Sequence, residues 1–139
     1  MDSLIKREEV KEFCDDLNSY LKTRYHYKKN HAKVECLGAV VAALGLIKFG
    51  LYLRFKPNYK PWPANTLVIA RFSFQQTRVG NGKDFINFIC EKADKFNFEN
   101  IAIEFANESS RNFAMKYGFI KLDHENNWCG SVLQIRKKL

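Results

Sequence analysis

Between residues 7 and 23, Val10, Phe13, Cys14, Leu17, Tyr20 and Leu21 recur at helical spacing, with Lys11, Asp15, Asp16 and Lys22 on the other side. That spacing predicts an amphipathic helix whose apolar stripe packs on a core. Residues 34–44 are a nearly continuous apolar run, the pattern of a strand buried on both faces. From residue 47 the period becomes two: Ile47, Phe49, Leu51, Leu53 and Phe55 alternate with Lys48, Gly50, Tyr52, Arg54 and Lys56. This predicts a neighbouring strand, antiparallel to the first. All three prolines fall within residues 56–65, which therefore form a connecting loop rather than sheet interior. A third strand is predicted over 67–74, then a helix carrying Phe85, Phe88, Ile89 and Ala93, then a strand with Ile101, Ile103 and Phe105. A short helix over 109–116 follows, with Ser109 as its expected N-cap. After Gly118, residues 119–122 and 131–136 read as two closing strands.

The elements describe a mixed α/β chain, and 139 residues without an internal linker or repeat make one domain, residues 1–139, the expectation. Hydrophobic content of 46% and charged content of 27% exclude a disordered chain. Cys14, Cys36, Cys90 and Cys129 form neither a CxxC pair nor a Cys/His cluster, so no metal site is expected and reduced thiols in a cytoplasmic protein are. The charged start Met1-Asp2-Ser3-Leu4-Ile5-Lys6-Arg7 is unlike a signal peptide. Residues 36–53 hold a single charge, Lys48, and are long enough to raise a membrane span. The alternation from Ile47 onward is a strand signal instead, and no membrane partner is expected.

A net charge of +8 favours polyanionic partners through long-range attraction. Residues 24–33, Arg-Tyr-His-Tyr-Lys-Lys-Asn-His-Ala-Lys, interleave cations with aromatics. Two readings are open: a solvated loop, or a surface that neutralises phosphates and stacks on bases.

The most specific chemistry lies where the strand over 67–74 runs into Arg78-Val79-Gly80-Asn81-Gly82-Lys83 and then a helix. A glycine turn that opens a helix points unpaired backbone N–H groups at one spot, with the positive end of the helix dipole behind them. Such a spot suits a phosphate, and Arg78 and Lys83 add charge on either side. A P-loop would need a glycine at Thr77 and a hydroxyl residue after Lys83, and a Rossmann fingerprint would need a third glycine.

Residues 67–119 resemble the cofactor-binding core of the GNAT superfamily of N-acetyltransferases. The order matches: strand, glycine turn, helix, strand ending in Asn107, short helix, then Gly118-Phe119. The resemblance implies a central, mostly antiparallel, twisted sheet with helices on both faces, opened between the strand ending at Phe74 and the strand over 101–106. It implies acetyl-CoA or another acyl-CoA as cofactor, with Phe72, Ser73 and Phe74 pairing with pantetheine, residues 78–83 holding the pyrophosphate and Asn107 contacting the cofactor arm. The family's first strand has little room before the first helix, so it is residual around residues 3–6 or missing.

The chain also departs from the pattern. Thr77 stands where the turn motif has Gln or Arg, flanked by Gln76 and Arg78. The frequent general-acid tyrosine position is Ala114, and the frequent glutamate base position is Thr66. Tyr117 lies off the required helical face and is read as a packing residue. Glu104 remains as the catalytic candidate: it serves if its face meets the cleft and is a solubilising charge if it meets solvent. His26, His124, Asp123 and Cys129 are weaker candidates.

The resulting expectation is an acetyl-CoA-dependent N-acetyltransferase acting on a primary amine, with a polyanionic acceptor, an aminoacylated RNA or an acidic protein, favoured by charge. The alternative is a non-catalytic acyl-CoA-binding or nucleic-acid-binding module on the same fold. The sequence does not decide between a monomer and a homodimer.

Overall fold

The computed structural model describes residues 2–38, 40–43, 49–74 and 80–139. The first element among the described residues is a long helix, α1 (Asp2–Tyr25), so residues 3–6 are helical rather than a residual strand. Among the described residues seven strands follow: β1 (Lys33–Glu35), β2 (Val40–Ala43), β3 (Phe49–Phe55), β4 (Thr66–Phe74), β5 (Asn100–Ile103), β6 (Ile120–Lys121) and β7 (Trp128–Ser131). The helices α2 (Asn81–Phe96), α3 (Glu108–Lys116) and α4 (Val132–Lys138) complete it. The strands form one sheet in the order β1-β2-β3-β4-β5-β7-β6, antiparallel throughout except for the pair β4–β5.

The apolar run over 34–44 is not a single strand. Cys36 and Gly38 both take left-handed φ, 52° and 88°, and the turn Cys36–Gly38 folds the run into a hairpin of β1 and β2. Double burial holds for β2, whose four residues are all buried. Alternation holds in β3, with Leu51, Leu53 and Phe55 buried; Leu44, Ile47 and Lys48 lie outside the described residues. No helix among the described residues is long and apolar enough to cross a membrane; residues 36–38 are turn and 40–43 are strand.

The main core lies on the sheet face that carries Leu53, Leu67, Ile69, Ile101 and Ile103. Phe13, Leu17 and Leu21 of α1, Phe85, Ile89 and Phe96 of α2, and Val132 and Ile135 of α4 pack into it. Val68, Ala102 and Cys129, one residue out of phase, make a smaller cluster on the opposite face, closed by Trp62 from the proline-rich loop.

Two segments differ from the sequence pattern. Residues 131–136 form no strand beyond Ser131, whose side chain accepts a hydrogen bond from Gln134 N and caps α4. Val132 and Ile135 are then buried at helical spacing, and Arg136, Lys137 and Lys138 occupy the last turn, where cations suit the helix dipole. At α3 the cap is Asn107 rather than Ser109: its Oδ1 accepts from Ser110 N at 2.9 Å while Ser110 Oγ accepts from Asn107 N at 2.9 Å.

A candidate cofactor cleft between two parallel strands

The one parallel pair among the described strands is also where the sheet opens. β4 pairs with β5 only from Thr66↔Asn100 to Ile69↔Ile103, and one further bond joins Glu104 N to Ile69 O at 3.0 Å. Beyond it β4 continues to Phe74 alongside β3, while β5 turns away. Two local features cause the divergence. On the β3 side the partner of β4 jumps from Ile69 to Arg71, which leaves Ala70 as an extra residue, a β-bulge that bends the strand. On the β5 side Phe105 takes φ 47°, an uncommon conformation for a bulky side chain. That kink is held from below: Asn127 Oδ1 accepts from Phe105 N at 3.0 Å, and Ala106 N donates to Asn126 O at 2.8 Å. Asp123 in turn fixes Asn127, accepting from its backbone N and from its Nδ2 at 2.9 Å. The strand predicted to reach Phe105 therefore stops at Ile103, and Phe105 stands 64% exposed.

Between the diverging strands lies a cleft of about 710 Å³. Its floor is Ile69, Phe72, Ile103 and Phe113, and Ala70, Arg71 and Ser73 of β4 line one wall. Gly80, Asn81, Gly82 and Lys83, the start of α2, close one end. Glu104, Phe105, Asn107, Ser109, Ser110, Lys116 and Tyr117 supply the rest of the lining. Arg71, Lys83 and Lys116 outnumber Glu104, the one carboxylate among the described lining residues, so the cleft favours an anionic ligand.

The start of α2 is built for such a ligand. Gly80 takes φ 84° as N-cap and offers no side-chain cap, so a ligand oxygen can take the place that a Ser or Asp would fill. A Cβ at Gly80 would meet nothing within 4 Å, but one at Gly82 would stand 2.9 Å from Phe113 Cε2. Gly82 therefore lets the N-terminus of α2 approach α3. Phe113 stacks edge-on against Phe72, centroids 5.7 Å apart, which ties α3 to the wall of β4.

The expected site residues fall as follows. Phe72, Ser73, Gly80, Asn81, Gly82, Lys83, Glu104 and Asn107 come together around the cleft. Arg78 and Val79 lie outside the described residues, as do Gln76 and Thr77, and of Phe74 only the backbone, at the end of β4, is described. Asn107 meets the cleft while its side chain is engaged in capping α3. Glu104 is neither a free base nor a solvated charge: Arg54 Nε and Nη2 each donate to its carboxylate at 3.3 Å, and its side chain is 14% exposed. Burial pulls the Arg54 pKa down, but the bonds and charge of Glu104 outweigh it and hold it above the ordinary value.

The departures from the family pattern are equally visible. Thr66 is fully buried and donates its hydroxyl to Pro63 O at 2.7 Å, and Ala114 is fully buried, so neither supplies an acid or base to the cleft. Tyr117 lines the cleft and is buried, its ring 4.7 Å from that of Phe113. Cys129 sits in the smaller cluster, where burial pushes its thiol up to about 11. Asp123 holds the Phe105 kink, and the bond from Asn127 lowers its pKa below the usual carboxylate value. In residues 24–33, Tyr25 is buried and Tyr27 half-buried against His31, with centroids 4.9 Å apart, while Lys28 and Lys29 are exposed. The cations are available to a partner, and the tyrosines are occupied by packing.

The pattern did not mark Arg54, Asn127, Tyr20 or Arg24 as parts of this region. Each acts through a partner at least 22 positions away, Asn127 on Phe105 being the nearest, so spacing along the chain carries no signal of it.

The mixed α/β architecture, with seven strands among the described residues in one sheet that parts at the β4–β5 pair, is GNAT-like in fold. A solved KacTA–DNA complex aligns with a TM-score of 0.50 at 16% identity, over 88% of this chain and 83% of that one. The AtaT Y144F toxin, bound to the C-terminus of the antitoxin AtaR and acetyl-CoA, aligns with a TM-score of 0.49 at 14% identity, over 70% and 69% of the two chains. A Staphylococcus aureus Mu50 protein solved as a candidate acetyltransferase aligns over 95% and 94%, with a TM-score of 0.48 and 14% identity. No protein-family profile and no curated protein sequence matches the chain. At these identities the likeness is one of fold.

Proposed function

We propose that the chain is an acetyl-CoA-dependent N-acetyltransferase acting on a primary amine carried by an anionic acceptor. The observation that carries this reading is the parallel pair that parts after Ile69 and Ile103, with the uncapped first turn of α2 at one end of the opening. Phe72 and Ser73, on β4 beyond its last pairing with β5, line the cleft and suit an amide-bearing arm, and the N–H groups of residues 80–83 suit a diphosphate. A linear cofactor with a diphosphate at one end and two amides along its arm, acetyl-CoA, satisfies both, and Asn107 lies within the same cleft.

In the proposed reaction the neutral amine attacks the thioester carbonyl carbon, the N–C bond forms and the C–S bond breaks. The coenzyme thiolate leaves and takes up a proton. The proton lost by the amine passes to water. Glu104 places the amine, because its carboxylate is held in one position by the two bonds from Arg54. Positioning of this kind supplies much of the rate where the usual acid and base are absent. The excess of cations in the lining and the exposed Lys28 and Lys29 support an acceptor of negative charge, with an aminoacylated RNA and an acidic protein as the classes to test.

The buried Thr66 and Ala114 favour a second reading, a module that binds acyl-CoA without turning it over. The two are separated by thiol release from acetyl-CoA with amines on RNA ends, acidic peptides and small carriers. Turnover by the wild type that falls by about 10²-fold in Glu104→Gln, with CoA affinity unchanged, is expected for the enzyme. Tight CoA binding with no release on any acceptor establishes the second reading instead.

A further inference from the structure

The first turn of α2 carries a charge of the wrong sign for the ligand proposed above. Asp84 belongs to that turn, its own N–H donating to Gly80 O at 2.9 Å, only one residue from Lys83 in the lining of the cleft. A carboxylate there repels a diphosphate and would cancel Lys83. Its oxygens are instead turned toward α1, where the Tyr20 hydroxyl donates to Oδ1 and the Arg24 guanidinium lies 3.6 Å from the same atom. Arg24 reaches one turn further: its Nη2 donates to Asn81 Oδ1 at 3.0 Å, and Asn81, 9% exposed, is the first residue of α2 and part of the cleft wall.

As a latch between helices this arrangement accomplishes little. Arg24 and Asp84 are 36% and 39% exposed, and pairs so exposed add little to stability. Α1 is anchored by apolar packing in any case, with Tyr20 stacked on Phe88 at 4.4 Å. The effect on the cleft is larger. With Arg24 in place the charges of Lys83, Asp84 and Arg24 sum to +1; without it they sum to zero, and the Asn81 amide loses its bond from Arg24. Burial, then the bond and charge of Asp84, raise the Tyr20 pKa, so its hydroxyl remains a donor at any ordinary pH, but it brings no positive charge.

We infer that Arg24 is a positioning residue for the cofactor's diphosphate: it neutralises Asp84 and fixes Asn81, so that the opening turn of α2 presents net positive charge to the ligand. The inference rests on the cleft being an acyl-CoA site. It also gives the start of the basic segment a role at the cofactor end of the cleft, separate from any acceptor bound by Lys28 and Lys29.

Calorimetry with CoA and with pantetheine, the fragment lacking the diphosphate, tests it on the wild type, Arg24→Gln, Asp84→Asn and the double variant. Arg24→Gln is expected to raise the Kd for CoA by roughly fivefold while leaving that for pantetheine within about twofold, and the double variant to regain most of the loss because the unpaired carboxylate is gone. Thermal melts of each variant confirm that a folded protein is titrated, and Arg24→Lys, which keeps the charge, serves if Arg24→Gln does not fold; it should lose no more than about twofold. An unchanged CoA affinity in Arg24→Gln, an equal loss for pantetheine, or a double variant as weak as the single one overturns the inference. Failure of the wild type to bind CoA overturns the acyl-CoA reading itself, and the inference with it.

Discussion

Gly82 and Gly80 serve the cleft in different ways, and substitution separates them. At Gly82 the space is missing: an added methyl must displace the Phe113 ring, which is wedged between Phe72 and Tyr117. At Gly80 the space is open, but φ 84° strains any L side chain by about 1–2 kcal/mol. Gly82→Ala is therefore expected to weaken CoA binding by about tenfold as α2 and α3 are pushed apart, at a stability cost of roughly 1–3 kcal/mol. Gly80→Ala should show its cost in the melting temperature, and titration of both variants with CoA checks the contrast. The two glycines and their place between a strand and a helix were legible in the sequence. The reason Gly82 must be small was not, because Phe113 comes from another helix. Glu104 was legible as a candidate but its pairing with Arg54 was not, since that contact depends on how β3 and β5 sit about β4.

Among the elements, the docking of α1 on α2 shows which force holds the layers together. Phe13 is fully buried and meets Phe55, Phe88 and Phe96 at centroid distances of 5.6, 6.3 and 5.3 Å. At the rim Asp16 accepts from Lys95 at 2.9 Å and lies 3.4 Å from Lys92. Partial burial works to raise the Asp16 pKa, but the bonds and charges of Lys95 and Lys92 outweigh it and hold the pKa below the ordinary value. A carboxyl lowered on folding adds stability above its unfolded pKa and loses it as pH falls through the folded value. Denaturant unfolding of Phe13→Ala should then show a loss of about 3–5 kcal/mol at any pH. Asp16→Asn should cost less than about 1 kcal/mol at neutral pH and nothing in acid, where the wild type has already lost the pair.

The elements that the sequence pattern announced most clearly, α1, α2 and the strands β3 and β4, are those with long periodic stretches. α4 was misread as a strand because its apolar residues are few, although the Ser131 cap and the basic last turn were present as signals. The hairpin of β1 and β2 was misread as one strand because Cys36, not only Gly38, adopts a left-handed φ, which residue type does not announce.

For the whole molecule, the decisive feature is a sheet that parts along the parallel seam of β4 and β5. The sequence showed strand, glycine turn, helix and strand in the right order, and that order determines which strands are neighbours. It did not show why they diverge. The bulge at Ala70 and the left-handed Phe105, braced by Asn127 and Asp123 from the loop before β7, are tertiary effects. The strands are thus held apart by contacts within the protein, and the lining of the cleft between them carries more positive than negative charge. A crystal structure of the protein with acetyl-CoA is the most direct test of this arrangement. The expected result is a diphosphate on the backbone N–H groups of residues 80–83, with the pantetheine arm along Phe72 and Ser73 and the thioester within reach of Glu104. A cofactor bound elsewhere, or a diphosphate that makes no contact with the first turn of α2, would contradict it.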